Sequence, residues 1–213
     1  MELDILTKII FVITIVLAPL LIYQERKDRK LIKLAYDKHG LRPSNSLEFF
    51  SNFRVSKFNI LNKQGFMRIN SRFFIANNFT FGVFAHASSE GGNSSTRQSV
   101  YAFKTKAKAP RFYIRPKTIS DKLKFIAGYN DINLEDCPEF SDRYYLQSPE
   151  DPVQFKKYFK ENYLNLFIGT NYLWLESNGD TVIFFFEGKF SWQPIQIEEA
   201  MSDFMEIKSL FDN

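Results

Sequence analysis

Histidine, cysteine and clustered carboxylates are the side chains able to do chemistry near neutral pH, and this chain has few arrangements of them. Its two histidines are His39 and His86, and its one cysteine is Cys137. A thiol activated by an imidazole is the simplest nucleophilic pair such a set allows. A hydrolase-like site near His86 and Cys137 is therefore the enzymatic alternative, although spacing offers no third residue to orient the ring. The ordinary reading makes His86 the end of a strand beside a polar loop and Cys137 a residue preceding Pro138. His39 stands beside Gly40, where a cation suits a helix C-terminus.

With one cysteine and no Cys-x-x-Cys, a zinc site has no basis. Asp131, Glu135, Asp136, Glu139 and Asp142 are close in sequence but lack calcium-loop spacing. The chain contains no Walker loop, no Gly-x-Ser-x-Gly elbow and no Gly-x-Gly-x-x-Gly turn. No catalytic, metal-binding or cofactor-binding residue is assigned, and no cofactor is expected.

Charge is more informative. The net charge is +4, and residues 24–42 alone hold seven basic side chains against three acids. Beyond them the signs separate: residues 104–124 carry eight Lys/Arg and one Asp, while 131–151 carry seven acids and one Arg. Such a chain is a poor nucleic-acid binder, which spreads basic charge over the whole domain. Segregation instead predicts a dipolar surface or two segments that face each other. Lys106, Lys108 and Lys117 are the candidate partner-binding residues, with another protein as the partner.

Location is expected from the run Ile9–Tyr23 (IIFVITIVLAPLLIY). Its fifteen uncharged residues span roughly 22 Å at ~1.5 Å each, and counting back to Ile5 lengthens the stretch. Lys8 can snorkel and pair with Asp4, and Tyr23 suits an interface. A cleaved signal sequence would want a basic start and a small-x-small site, and neither is present. The reading is a transmembrane helix over residues 1–23, a basic juxtamembrane helix over 24–42 and a cytoplasmic domain over 43–213. Arg26, Lys27, Arg29 and Lys30 follow the run. The positive-inside rule then puts the N-terminus outside and the C-terminal domain inside, with the lipid bilayer as a partner for those four side chains.

The elements that must position these residues follow from periodicity. The helix after the run continues to His39 and stops at Gly40. Ser46 caps a short helix. Phe58–Leu61 and Phe66–Ile69 read as strands, followed by a hairpin turning at Asn77-Asn78 and the polar loop SSEGGNSST, where binding residues can collect. Residues 97–105 and 111–115 are further strands, 120–127 a short helix, and 131–148 a strand pair. A helix starts at Ser148 with Pro149 in its first turn and turns Val153, Phe155, Phe159 and Leu166 inward. Asn178-Gly179 is a two-residue hairpin turn leading into a strand that is apolar on both faces. After Pro194 a last helix presents Ile197, Ala200, Met201, Phe204, Ile207 and Phe211. With 24 Phe and 17% aromatic residues, this is an α+β plan of mostly antiparallel sheet, two late amphipathic helices packed on it, and the N-terminal transmembrane helix.

The segments RQSVYAF, PRFYIRP, DINLEDCPEFSDRYYLQSPED and LWLESNGDTVIFFFEGK occur in that order. Over roughly residues 75–187 they resemble a bacterial family of membrane-anchored proteins of unknown function, with its RQTV, P-x-F-x-(L/I)-R-P and F-S-x-x-Y-x-L course. The resemblance implies a bacterial source and a membrane-attached globular domain, and brings no catalytic residues. The functional expectation is a non-enzymatic interaction or sensing domain at the cytoplasmic face. The alternative is a membrane-tethered hydrolase using His86 and Cys137.

Overall fold

A computed structural model describes residues 33–52, 58–63, 66–76, 79–87, 95–118, 131–170, 172–188 and 194–212, with residues 23, 26, 27, 30, 31 and 121. Helical residues 33–38 (α1) lead into β1 (Arg42–Ser44), α2 (Ser46–Asn52), α3 (Asn59–Lys63), β2 (Phe66–Ile75), β3 (Phe79–Ala87), β4 (Ser95–Lys104) and β5 (Arg111–Pro116). Then come α4 (Pro138–Arg143), β6 (Tyr144–Gln147), α5 (Pro152–Asn162), α6 (Leu164–Gly169), β7 (Leu173–Asn178), β8 (Thr181–Phe186) and α7 (Pro194–Phe211). The eight strands form one sheet in the order β1-β2-β3-β4-β8-β7-β5-β6, and every neighbouring pair is antiparallel. The fold is α+β.

Period-two alternation sends successive residues of each strand to opposite faces. In β8, Val182, Phe184 and Phe186 join the larger core, while Ile183 and Phe185 join the smaller one. The sheet is thus covered on both sides, which is why β8 is uniformly apolar. The larger core lies under α4, α5, α6 and α7: Phe204 sits 4.5 Å from Phe79, and Phe211 stacks on Tyr163 at 4.7 Å. All six residues expected on the inner side of α7 are buried. The smaller core places Phe49 of α2 and Ile60 of α3 against Phe73, Phe84 and Trp174.

Several elements differ from the sequence expectation. Residues 59–63 are helical and not extended. The Glu176 carboxylate from β7 accepts from the backbone N–H groups of Asn59 (3.1 Å) and Ile60 (2.8 Å) and caps this turn from across the fold. Asn45 caps α2, its Oδ1 accepting from Glu48 N at 2.8 Å. The region 131–148 makes one helix and one strand in place of a strand pair. The cap of α5 is Asp151, whose Oδ1 accepts from Val153 N and Gln154 N, with Pro152 next. Val153, two residues from Phe155 and so on the opposite side of the helix, is turned outward and 77% exposed, while Phe155 and Phe159 are buried. Asn77-Asn78, loop residues 88–94 and, apart from Asp121, the helix expected at 120–127 lie outside the described residues.

The membrane reading is corrected. Among the described residues no helix is long and apolar enough to cross a membrane. That overturns the single-pass helix over 1–23, its orientation and the inner-membrane location, together with the cytoplasmic placement drawn from them. Among the described residues the longest helix is α7 with 18 residues; it exposes Glu199 and Glu206 on its outer side and packs its apolar side on the sheet. The apolar run itself falls short of a ~30 Å hydrocarbon core unless stretched past Lys8. Except for the helical, exposed Tyr23, it lies outside the described residues.

The helix that follows ends as expected at Gly40 (φ +66°), with Leu41 N bonded to Tyr36 O and Gly40 N to Asp37 O. Its C-terminal end packs on the domain. Ala35, Tyr36 and Leu41 are buried in the larger core, and Tyr36 stacks on Phe74 at 4.0 Å.

Candidate functional site

The site is organised by the β7–β8 turn. Asn178 closes β7, and Gly179 and Asp180 are the two turn residues, one position later than the sequence suggested. The reason is local: Asn178 Oδ1 accepts from Asp180 N (3.3 Å) and Thr181 N (3.0 Å), a role that belongs before the turn. Gly179 takes φ +104° and Asp180 does not, so only the first turn residue needs glycine's freedom.

Residues 105–110 cross over this turn as a strap, because β4 and β5 are consecutive in sequence yet lie on opposite sides of the β7–β8 hairpin. Thr105 N donates to Asp180 O (3.0 Å), Ala109 N to Gly179 O (2.9 Å) and Thr105 Oγ1 to Gly179 O (3.1 Å). The strap then enters β5, where Arg111 pairs with Asn178. The turn before α5 docks on the same residue: Ser148 Oγ donates to Arg111 O at 2.7 Å. Glu150 Oε1 accepts from both the Arg111 backbone N and its Nε, each at 3.3 Å.

Between the strap and the first turns of α5 lies a groove of about 720 Å³. Lys108, Arg111, Asn178 and Asp180 line one side, and Glu150, Gln154 and Tyr158 the other. Two cations and two anions face it, so its net charge is close to zero. Tyr158 is 40% exposed, and its hydroxyl lies 3.4 Å from that of Tyr163. Burial, and then this contact, push the Tyr163 hydroxyl well above the ordinary tyrosine range.

No family model, curated protein or solved structure matches this chain. Roles for its residues therefore come from geometry alone.

The three candidate lysines have three different settings. Lys106 is 70% exposed and 3.6 Å from Asp212. Lys108 lines the groove. Lys117 is largely covered, 14% exposed, its Nζ 2.6 Å from Asp131 Oδ2 and 2.6 Å from Ser141 O. Arg26, Lys27 and Lys30 are exposed, whereas Arg29 lies outside the described residues. Four strands separate β3, which carries His86, from β6, which α4 joins directly to Cys137. At ~4.8 Å per strand step this is roughly 24 Å of sheet, so the structure does not bring the two together. Cys137 packs against the larger core, and the His86 side chain is outside the described residues. Among the described residues no group of three or more His, Cys, Asp or Glu side chains could hold a metal ion. The acidic stretch is spent in pairs: Asp136 with Lys160, Glu139 with Arg143 and Glu150 with Arg111.

Two further polar clusters went unread. Arg115 holds both oxygens of Asp121, one at 2.6 Å, and lies 4.7 Å from the Tyr145 ring centroid. Thr118 N and Oγ1 also donate to Asp121, and Glu176 caps α3. In all of these contacts the polar groups are satisfied by the protein itself.

Proposed function

We propose that this chain is a non-enzymatic interaction domain and that it binds another protein through the groove between α5 and the 105–110 strap. The observation that carries the reading is a contrast in pairing. Charges that serve the fold, such as Lys117 with Asp131 and Arg115 with Asp121, are largely covered and matched. Lys108 and Asp180 stand on the groove wall with opposite signs and no ion-pair partner among the described residues. Polar groups mounted on a rigid sheet without internal work suit recognition by charge complementarity.

The sheet edges support a side-chain surface over strand addition. β1 is three residues long and contains Pro43. The outer edge of β6 is closed by Ile132 N donating to Leu146 O (2.8 Å) and by Asp131 accepting from Leu146 N (3.0 Å). A partner strand finds little ladder to extend at either end. The test is affinity capture of the tagged full chain from its own cells, compared with Lys108→Glu and Asp180→Lys. Loss of the same specific partner from both variants, with melting unchanged, is expected; an identical partner set in all three sinks the reading.

A further inference from the structure

The geometry points to the chemistry of the occupant: a polypeptide segment that places an acidic side chain on Arg111 and an aromatic side chain against Tyr158. This rests on the interaction reading above and goes further by naming what the groove selects.

Arg111 is unusual among the cations of this protein. Its backbone N and its Nε both contact one oxygen of Glu150, which fixes where the guanidinium points. Its two Nη groups, the fork that matches a carboxylate in bidentate fashion, have no acceptor among the described residues. The Glu150 contact is itself solvated, with side-chain exposures of 57% and 40%, so it orients the fork more than it stabilises the fold. Arg115, by comparison, has its fork filled by Asp121.

The stem of Lys108 runs along Gly179, where a built β-carbon would lie 3.7 Å from Cε and 3.8 Å from Cγ. The stem thus lies at ordinary contact distance from the turn and carries a second cation onto the same wall. An incoming carboxylate therefore meets a planar fork and a point charge. The nearby carboxylates of Glu150 and Asp180 repel any anion and offset much of the attraction to the two cations, so the gain comes from the fit of a carboxylate's two coplanar oxygens to the Arg111 fork. Asp180, with no partner for its carboxylate among the described residues, is placed to accept from a basic side chain or backbone N–H of the same segment. Across the groove Tyr158 offers a partly exposed ring above the buried Phe155, which favours an aromatic neighbour in offset or edge contact.

The experiment is binding of the purified full chain to arrayed, labelled nonapeptides. An acid and a tyrosine are set one to four residues apart in a Gly/Ser background that includes one lysine. Retention is expected only on peptides holding both groups. In solution, fluorescence anisotropy of the best peptide should weaken about tenfold or more when its acid becomes an amide, or when the protein carries Arg111→Gln. Lys106→Glu, outside the groove, should change affinity less than about twofold. No retained peptide, retention indifferent to the acid, or an unaffected Arg111→Gln protein overturns the inference. Tighter binding of a phosphoserine version overturns the choice of carboxylate. If cellular capture depends on Lys108 and Asp180 while these peptides fail, the occupant's chemistry is wrong and the interaction reading stands. If the peptides bind but capture is indifferent to the groove, the interaction reading falls.

Discussion

Lys117 Nζ lies 2.6 Å from Asp131 Oδ2, with the two side chains only 14% and 6% exposed. This contact joins the basic stretch 104–124 to the acidic stretch 131–151, and Arg111 with Glu150 joins them again nearer the groove. The separation of charge along the sequence is thus in part an internal pairing. It leaves a smaller surface, around Lys108 and Asp180, for outside contacts.

The three lysines should separate cleanly in stability. Lys117→Ala strands a buried Asp131 carboxylate and should cost about 3–5 kcal/mol. Lys106→Ala and Lys108→Ala, at exposed positions, should each stay within about 0.5 kcal/mol of the parent. Urea unfolding of the full chain reads all three, and equal midpoints would remove any energetic role for the Lys117–Asp131 pair.

Glu176 is buried on β7 and caps a helix that begins more than a hundred residues earlier in the chain. Glu176→Ala leaves the N–H groups of Asn59 and Ile60 without this acceptor and should cost about 3 kcal/mol. Glu176→Gln, which keeps one acceptor oxygen, should fall between the two. Amide exchange at Ile60 should accelerate well before global unfolding; protection equal to the parent's would show that something else satisfies the turn.

Acid should release the segment around Asp121. Its carboxyl is held well below the usual carboxylate range, first by the hydrogen bonds from Arg115 and then, against the opposing effect of burial, by those from Thr118. A depressed folded pKa stabilises the fold fully above the ordinary unfolded value of about 3.9, and that contribution is lost as pH falls toward the folded value. Stability measured from pH 6 down to pH 2 should therefore drop more steeply in the parent than in Asp121→Asn. Parallel curves would mean that Asp121 does not contribute to the acid dependence.

Gly179→Val should destabilise by about 1–2 kcal/mol or more, since φ +104° is closed to a β-branched residue. The new β-carbon itself fits, 3.6 Å from Ala109 O and 3.7 Å from Lys108 Cε, so the cost comes from the backbone conformation. Asp180→Gly, at the second turn position, should change melting little while weakening the partner. A thermal melt of both variants decides the turn register: if Asp180→Gly is the more damaging, the turn is centred elsewhere.

What the sequence made legible is what periodicity encodes. The last helix and its six inner residues, the doubly buried β8 and the Gly40 stop are local patterns, and each reads from a dozen residues. The helix at 59–63 was illegible because its cap, Glu176, is supplied by a distant strand. The groove was half legible: Lys108 stood out as a charge, and Asn178-Gly179 as a turn. Nothing local says that Glu150 and Tyr158 face them, since that depends on β5 lying beside β7 and on α5 starting at Pro152. The single-pass anchor failed on another ground: among the described residues no helix is long and apolar enough to cross a membrane, and the run is short of a ~30 Å hydrocarbon core unless stretched past Lys8.

The strand order also has a consequence for how the protein is made. β4 and β5 leave the ribosome one after the other, but the hairpin that belongs between them, β7–β8, is synthesised much later. Every nascent chain that ends between Pro116 and Leu173 therefore holds two bare inner edges at once, on β4 and on β5, both flanked by Phe-rich surface. Such edges are templates for wrong pairing. The strap at 105–110 can close only when Gly179 arrives, so the polypeptide is most in need of a chaperone in the interval between completing β5 and completing β8.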